Sequence, residues 1–170
     1  MEVQTFDSKI LQNNAWAMGL HCTHTDGTPF NFTSGVTTAQ IRSLASQTDT
    51  PLVMITVTIA IPTSGDIVLG LCGFDTGSLP ITTAKTFVVA PSLFLEVDFF
   101  PTADPLNSIR VATSRPRVVP GGNTRPARAP APTVALETIN LVVGGASPAT
   151  ARALLGISPA QLAYASLMLE

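Results

Sequence analysis

Four side chains of the kinds that bind metal ions lie close together near the start of the chain: His21, Cys22, His24 and Asp26. The stretch that leads into them alternates large and small residues, which is typical of a β-strand. In a strand, His21 and His24 are an odd number of residues apart and point to opposite faces. The chain has no further histidine to complete a site. We therefore expect no metal and interpret these residues as a strand end and its turn.

Neither the carboxylates nor the serines form a persuasive catalytic group. Glu96 and Asp98 lie two residues apart and share one face of a predicted strand, where they suit a solvated edge as well as a carboxylate pair. No serine occurs in a Gly-x-Ser-x-Gly elbow. Cys22 and Cys72 have the character of small buried hydrophobic residues, and a single disulfide between them is the alternative. We expect no enzymatic activity and no cofactor.

Positive charge is concentrated in one segment of the chain. Residues 1–109 contain three basic and nine acidic residues, whereas the next nineteen contain no acid and five arginines: Arg110, Arg115, Arg117, Arg125 and Arg128. Prolines and paired glycines exclude a central strand or helix over 114–132, so an exposed loop is predicted there. The arginines could contact nucleic-acid phosphates, an acidic neighbouring subunit or only solvent. Because residues 114–132 contain no aromatic residue, contact with RNA would depend on charge alone.

The end of the sequence predicts two short helices. Ser147-Pro148 and Ser158-Pro159 each provide an N-cap followed by proline at the first helical position. Residues 151–164 resemble a helix-turn-helix, but the second helix has no lysine or arginine to hold DNA phosphates. We interpret the segment as an assembly hairpin whose apolar side chains dock on the rest of the chain or on a neighbouring subunit: Leu154, Leu155, Leu162, Leu167 and Met168.

Most of the remaining chain reads as β-strands. In PLVMITVTIAIP, β-branched residues recur at every second position, and a turn then leads into a second apolar run that ends near Phe74. Thr37 and Gln40 have the spacing of a capping box, which predicts a short helix over 37–47. Alternation or apolar runs predict further strands at residues 3–6, 15–22, 30–32, 86–89, 93–100, 108–113 and 133–143.

This order of elements favours an all-β fold. Seven or eight short strands separated by turns, without regular alternation of strands and helices, are typical of a sandwich, most simply of two four-stranded sheets. We expect residues 1–146 to form the sandwich, with the one short helix inserted. Residues 147–170 would form the helical hairpin that packs on the sandwich or on a neighbouring subunit.

The composition predicts an ordered chain with few surface charges. Hydrophobic residues make up 45% of the 170 residues and charged residues only 12%, about half the usual share. Surface that is poor in charge often contacts another subunit. Neither a signal peptide nor an apolar stretch of the roughly 18 residues that span a bilayer is visible. We expect association with copies of the chain itself and not with a membrane.

Four stretches carry a resemblance to a known family: VTTAQIRSLAS, PLVMITVTIAIP, DIVLGLCGFDTGSLPIT and APAPTVALETINLVVGGA. In order and composition they are similar to the coat proteins of tymovirus-like small icosahedral viruses, and the similarity spans roughly residues 5 to 146. It implies an eight-stranded jelly roll without enzymatic activity that assembles into an icosahedral shell around RNA, in a virion assembled in the host cytoplasm. The short connection between Phe100 and Ser108 and the terminal hairpin differ from the family pattern.

Two functions from different classes are therefore expected. The first is a structural coat protein that self-assembles into an icosahedral shell. The alternative is a soluble binding module that uses the arginine-rich loop 114–132 or the C-terminal hairpin to hold a nucleic acid or protein partner. Formation of particles would favour the coat protein, and a chain that stays monomeric would favour the binding module.

Overall fold

The structure is a computed structural model that describes residues 4–43, 50–83 and 92–144. These residues form mainly β-strands, so the predicted all-β class is confirmed for this part of the chain. The strands are β1 (Thr5–Phe6), β2 (Lys9–Leu11), β3 (Trp16–Thr23), β4 (Gly35–Arg42), β5 (Val53–Thr58), β6 (Asp66–Leu71), β7 (Phe94–Pro101), β8 (Ile109–Ser114), β9 (Arg117–Val119) and β10 (Thr138–Val142). A single helical turn, α1 (Gly73–Thr76), follows β6.

Eight strands form one sheet in the order β1-β8-β7-β4-β5-β6-β3-β10. β1 is parallel to β8 and β10 is parallel to β3, whereas the other neighbours are antiparallel. The sheet is nearly closed like a barrel. Across the gap between its edge strands, the N–H of Val142 in β10 donates to Oε1 of Gln4, the residue before β1, at 3.3 Å. A single curved sheet thus takes the place of the two facing sheets that the sequence predicts. β2 and β9 form a separate parallel pair.

The core lies inside the curved sheet, where the apolar residues that alternate along the long strands are buried. Ile41 of β4, Leu69 of β6 and Leu95 of β7 have no exposed surface. Three aromatic rings extend this core, with Phe30 packed on Phe32 and Phe99 edge-on to both, at centroid distances between 4.8 and 5.7 Å. Such pairs add to the stability that burial of their area provides. The packed interior fixes the positions of β7 and β8, the strands that carry Glu96, Asp98 and Arg110.

The helix predicted over 37–47 is wrong, because Gly35–Arg42 form strand β4. The spacing of Thr37 and Gln40 matches a capping box, but Ala39 and Ile41 are buried with the period of a strand. β4 pairs with β7 along its whole length and with β5 at Ala39–Ile41. Hydrogen bonding on both sides therefore outweighs the local helix signal.

Two predicted elements lie outside the described residues and stay predictions. They are the strand at 86–89 and the C-terminal hairpin with Leu154, Leu155, Leu162, Leu167 and Met168. Across residues 4–43, 50–83 and 92–144, no helix has the length and apolar character that crossing a membrane requires.

Candidate basic interface at the barrel seam

The N-terminal strands bring a lysine next to the arginine-rich segment. β1 pairs with the end of β8. The next strands after them, β2 and β9, form a second pair. In this parallel register Lys9 is the direct partner of Arg117. Arg115 lies in the connection between β8 and β9, and Arg110 lies near the start of β8. Arg115 and Arg117 therefore lie close to the seam between β1 and β10, and Arg110 lies on β8, the neighbour of β1.

Arg110 is held by the chain's own carboxylates. Its Nε donates to Oδ1 of Asp98 at 2.5 Å and its Nη1 donates to Oε1 of Glu96 at 2.7 Å. Nε of Arg42 lies 3.5 Å from the other oxygen of Glu96. Glu96 and Asp98 point away from the apolar core, as their alternation with Leu95 and Val97 predicts, but they are buried and not solvated.

The electrostatics of this network follow from its burial. Burial raises the pKa of Asp98, and this effect exceeds the opposite influence of the hydrogen bond and the charge of Arg110. Burial also acts against the charge of Arg110, but the hydrogen bonds and charges of Asp98 and Glu96 outweigh it and raise the pKa of Arg110. Arg110 thus stays charged and its charge is balanced internally. It is poorly placed to hold a phosphate.

Arg125 and Arg128 attach the proline-rich loop to the turn after β6. Their guanidinium carbons lie 4.0 and 4.9 Å from the ring centroid of Phe74, which is cation–π geometry. Nε of Arg125 also donates to the carbonyl oxygen of Phe74 at 3.1 Å. Nη2 of Arg128 forms an ion pair of 2.8 Å with Asp75. These two arginines therefore have a structural role that their sequence does not reveal.

Arg115 and Arg117 line a cleft of about 680 Å³ together with Lys9. The guanidinium carbon of Arg115 lies 5.4 Å from the ring centroid of Phe94. The side chains of Lys9 and Arg117 form no ion pair or hydrogen bond with the described part of the chain. The arrangement can hold an anion, because Lys9 and Arg117 are partners in the strand register and neither pairs with a carboxylate of the described residues.

The residues first considered as metal ligands are dispersed. Nδ1 of His21 pairs with Oδ1 of Asp66 at 2.7 Å, and this hydrogen bond is the main cause of a lowered pKa of Asp66. His24 packs on the ring of Phe30. Cys22 is buried, and burial raises its pKa to about 12. Among the described residues, no three His, Cys, Asp or Glu side chains lie together as a metal site requires.

The two cysteines are both buried and free, so no disulfide joins Cys22 and Cys72.

The sequence analysis did not identify Lys9 and Trp16 as members of the basic cleft. The alternation in Lys9–Leu11 indicates that Lys9 faces outward. The pairing of this strand with β9 depends on long-range register, which the local sequence does not encode. No family model matches the chain, and no curated protein matches it at a significant level.

Proposed function

We propose that this chain is a structural protein that assembles with copies of itself, and that the assembly is a coat around RNA. The observation that supports self-assembly is the edge strand β10, which has a strand neighbour on one side only among the described strands. An open edge offers unpaired N–H and C=O groups to another chain. Whether this edge can pair with another chain depends on its free backbone groups and on its side chains.

The hydrogen bonds of β10 show which groups remain available. Gly19 N donates to Glu137 O at 2.9 Å and Val143 N donates to Thr23 O at 2.7 Å, so the odd-numbered residues of this segment face β3. The backbone groups of Thr138, Asn140 and Val142 therefore point away from β3. On that side, the hydrogen bond from Val142 to Gln4 is the one present in the described part of the chain.

In the described part of the chain, β10 lacks the usual protection of an open edge. Its five residues, TINLV, include no charged residue and no proline, whereas soluble proteins commonly protect such edges with charges, prolines or bulges. Exposed apolar residues adjoin the edge, namely Val142 at its end and Val134 and Leu136 in the loop before it. An unprotected edge beside apolar surface is suited to pairing with a strand of another copy.

A closed shell needs contacts on more than one side of each subunit. Leu52 and Met54 are large, exposed residues at β5, three strands from β10 in the sheet order. The low proportion of charged residues, 12% of the chain, agrees with contacts on several sides. These features support assembly beyond a dimer.

The icosahedral coat, the jelly-roll topology and the enclosed RNA are the specific form of the proposal that the family resemblance implies. Arg115 and Arg117 are the members of the arginine group best placed for RNA, because Arg110, Arg125 and Arg128 are engaged by their own chain. The alternative function, a soluble binding module, is favoured by one observation, the cleft that Lys9 shares with these two arginines.

Size-exclusion chromatography followed by electron microscopy tests the proposal. Self-assembly predicts that the 17.7-kDa chain elutes far above the monomer size, and the coat predicts particles tens of nanometres across that protect RNA from nuclease. A monomer that persists at high protein concentration would reject self-assembly. A small closed oligomer without RNA would retain self-assembly and reject the coat.

A further inference from the structure

The basic cleft brings like charges together, and no carboxylate in the described part of the chain pairs with them. Lys9 and Arg117 are exposed and directly opposite one another in the β2–β9 pair, and like charges in such positions destabilise strand pairing. Arg115 adds a third cation to the same cleft. The acidic residues that also line it, Asp7 and Glu137, form no ion pair with these cations in the described part of the chain.

The size and lining of the cleft indicate what could relieve this repulsion. Its volume of about 680 Å³ falls in the range of roughly 300–1,000 Å³ that is usual for small-molecule sites. Trp16 and Met18 of β3 belong mainly to the core, with 8% and 7% of their surface exposed, and contribute an aromatic and an apolar edge to the lining, while the exposed Leu136 lies at the same cleft. A ligand that fits both the cations and the apolar lining has an anionic group attached to a ring or another apolar group.

We propose that this cleft binds a phosphate group carried on an aromatic ring system, with a nucleoside monophosphate as the simplest example. The phosphate lies between Lys9 and Arg117, and the ring lies against Trp16 and Met18. Three cations against two acids give the lining a net charge of +1, which favours an anionic group. Arg117 can donate two parallel hydrogen bonds to phosphate oxygens, and Lys9 adds a point charge. The proposal does not depend on self-assembly.

Trp16 provides a direct probe because it is the chain's one tryptophan and lines the cleft. Titration of the full chain with adenosine monophosphate is expected to change the Trp16 fluorescence in a saturable way. Adenosine without phosphate is expected to give no saturable change, and inorganic phosphate a weaker response. Arg117→Gln and Lys9→Gln are each expected to weaken binding by about tenfold, the equivalent of one charged hydrogen bond. Arg125→Gln, outside the cleft, is the matched control and retains binding.

A stability measurement separates this site from a structural role of the same residues. Lys9→Gln removes the repulsion, so the ligand-free variant is expected to melt about 1–3 °C above the wild type at low salt. The same variant is expected to lose the rise in melting temperature that adenosine monophosphate gives the wild type. A Lys9→Gln variant that melts lower and binds normally would overturn the proposal.

The source of the phosphate is tested with single-stranded RNA oligonucleotides that carry either a 5′-phosphate or a 5′-hydroxyl. Tighter binding of the 5′-phosphate form supports a terminal or free nucleotide as the ligand. Equal binding of both RNAs, with adenosine monophosphate giving no saturable change, would overturn the proposal and indicate an RNA backbone contact instead.

Discussion

Arg110 and Asp98 lie on adjacent strands, with the guanidinium Nε 2.5 Å from the carboxylate Oδ1. This contact shows that Arg110, the first arginine of the basic segment, pairs with a carboxylate of the neighbouring strand. Glu96 and Asp98 lie on the face of β7 that points away from the core, where Arg110 pairs with both buried carboxylates and Arg42 lies near Glu96 as a second cation.

Arg110→Gln is expected to lower the free energy of unfolding by about 3 kcal/mol, because it leaves the buried Glu96 and Asp98 without their main counter-charge. Urea unfolding measures the change. Arg128→Gln is the control, since it removes an ion pair with a largely exposed arginine and should cost about 1 kcal/mol or less. Equal losses in the two variants would contradict a structural role for the Arg110 network.

Asp98 is expected to make stability depend on pH in the opposite direction from a solvated salt bridge. Burial raises its pKa above the ordinary 3.8, so the folded chain binds a proton there more tightly than the unfolded chain. Its contribution is present below pH 3.8 and is lost as the pH rises through the folded-state pKa. Relative to Asp98→Asn, the wild type should therefore gain stability when the pH falls from about 7 to about 4.

Urea unfolding of the wild type and Asp98→Asn at both pH values measures this difference, because the other carboxyl groups are common to both proteins. A wild-type advantage that shrinks on acidification would show that the pairing with Arg110 outweighs the burial of Asp98.

Gly70→Ala is expected to displace the arginine-rich loop from the barrel. A Cβ at Gly70 would overlap with the carbonyl oxygen of Pro132, a backbone atom that cannot rotate away. We expect a loss of about 1–3 kcal/mol and faster trypsin cleavage after Arg128, since Pro126 protects the bond after Arg125. Gly122→Ala is the matched control, because a Cβ there has no atom within 4 Å. Unchanged cleavage in Gly70→Ala would contradict the docking of the loop on β6.

Cys22 is expected to be unreactive in the folded chain, because it is fully buried and burial raises its pKa to about 12. Almost no thiolate is then present near neutral pH. In the variant Cys72→Ser, where Cys22 is the remaining thiol, a thiol reagent should react only after denaturant is added. Rapid stoichiometric labelling without denaturant would show that the strand β3 opens or that the thiol is accessible.

The strands with strong local alternation could be predicted from the sequence. The predicted strands at 15–22, 93–100 and 108–113 correspond to β3, β7 and β8, each displaced by about one residue. β4 could not be predicted in this way, because its pairing with β7 and β5 lies outside any local window. A helix-like spacing of two polar residues therefore misled the local interpretation.

The candidate site was predictable only in outline. The sequence located the arginines, but their partners are distant, since Arg125 contacts Phe74 and Arg110 contacts Asp98. The pairing of Lys9 with Arg117 depends on the register of two short strands more than a hundred residues apart, and no local pattern encodes it.

Sedimentation velocity of two lysine variants tests self-assembly most directly. Leu136 and Leu106 are both almost completely exposed leucines, but only Leu136 adjoins β10. If the β10 edge mediates assembly, Leu136→Lys shifts the chain to the monomer or smallest species, whereas Leu106→Lys sediments like the wild type. Wild-type sedimentation of both variants, or a wild-type chain that is itself a monomer, would contradict the account.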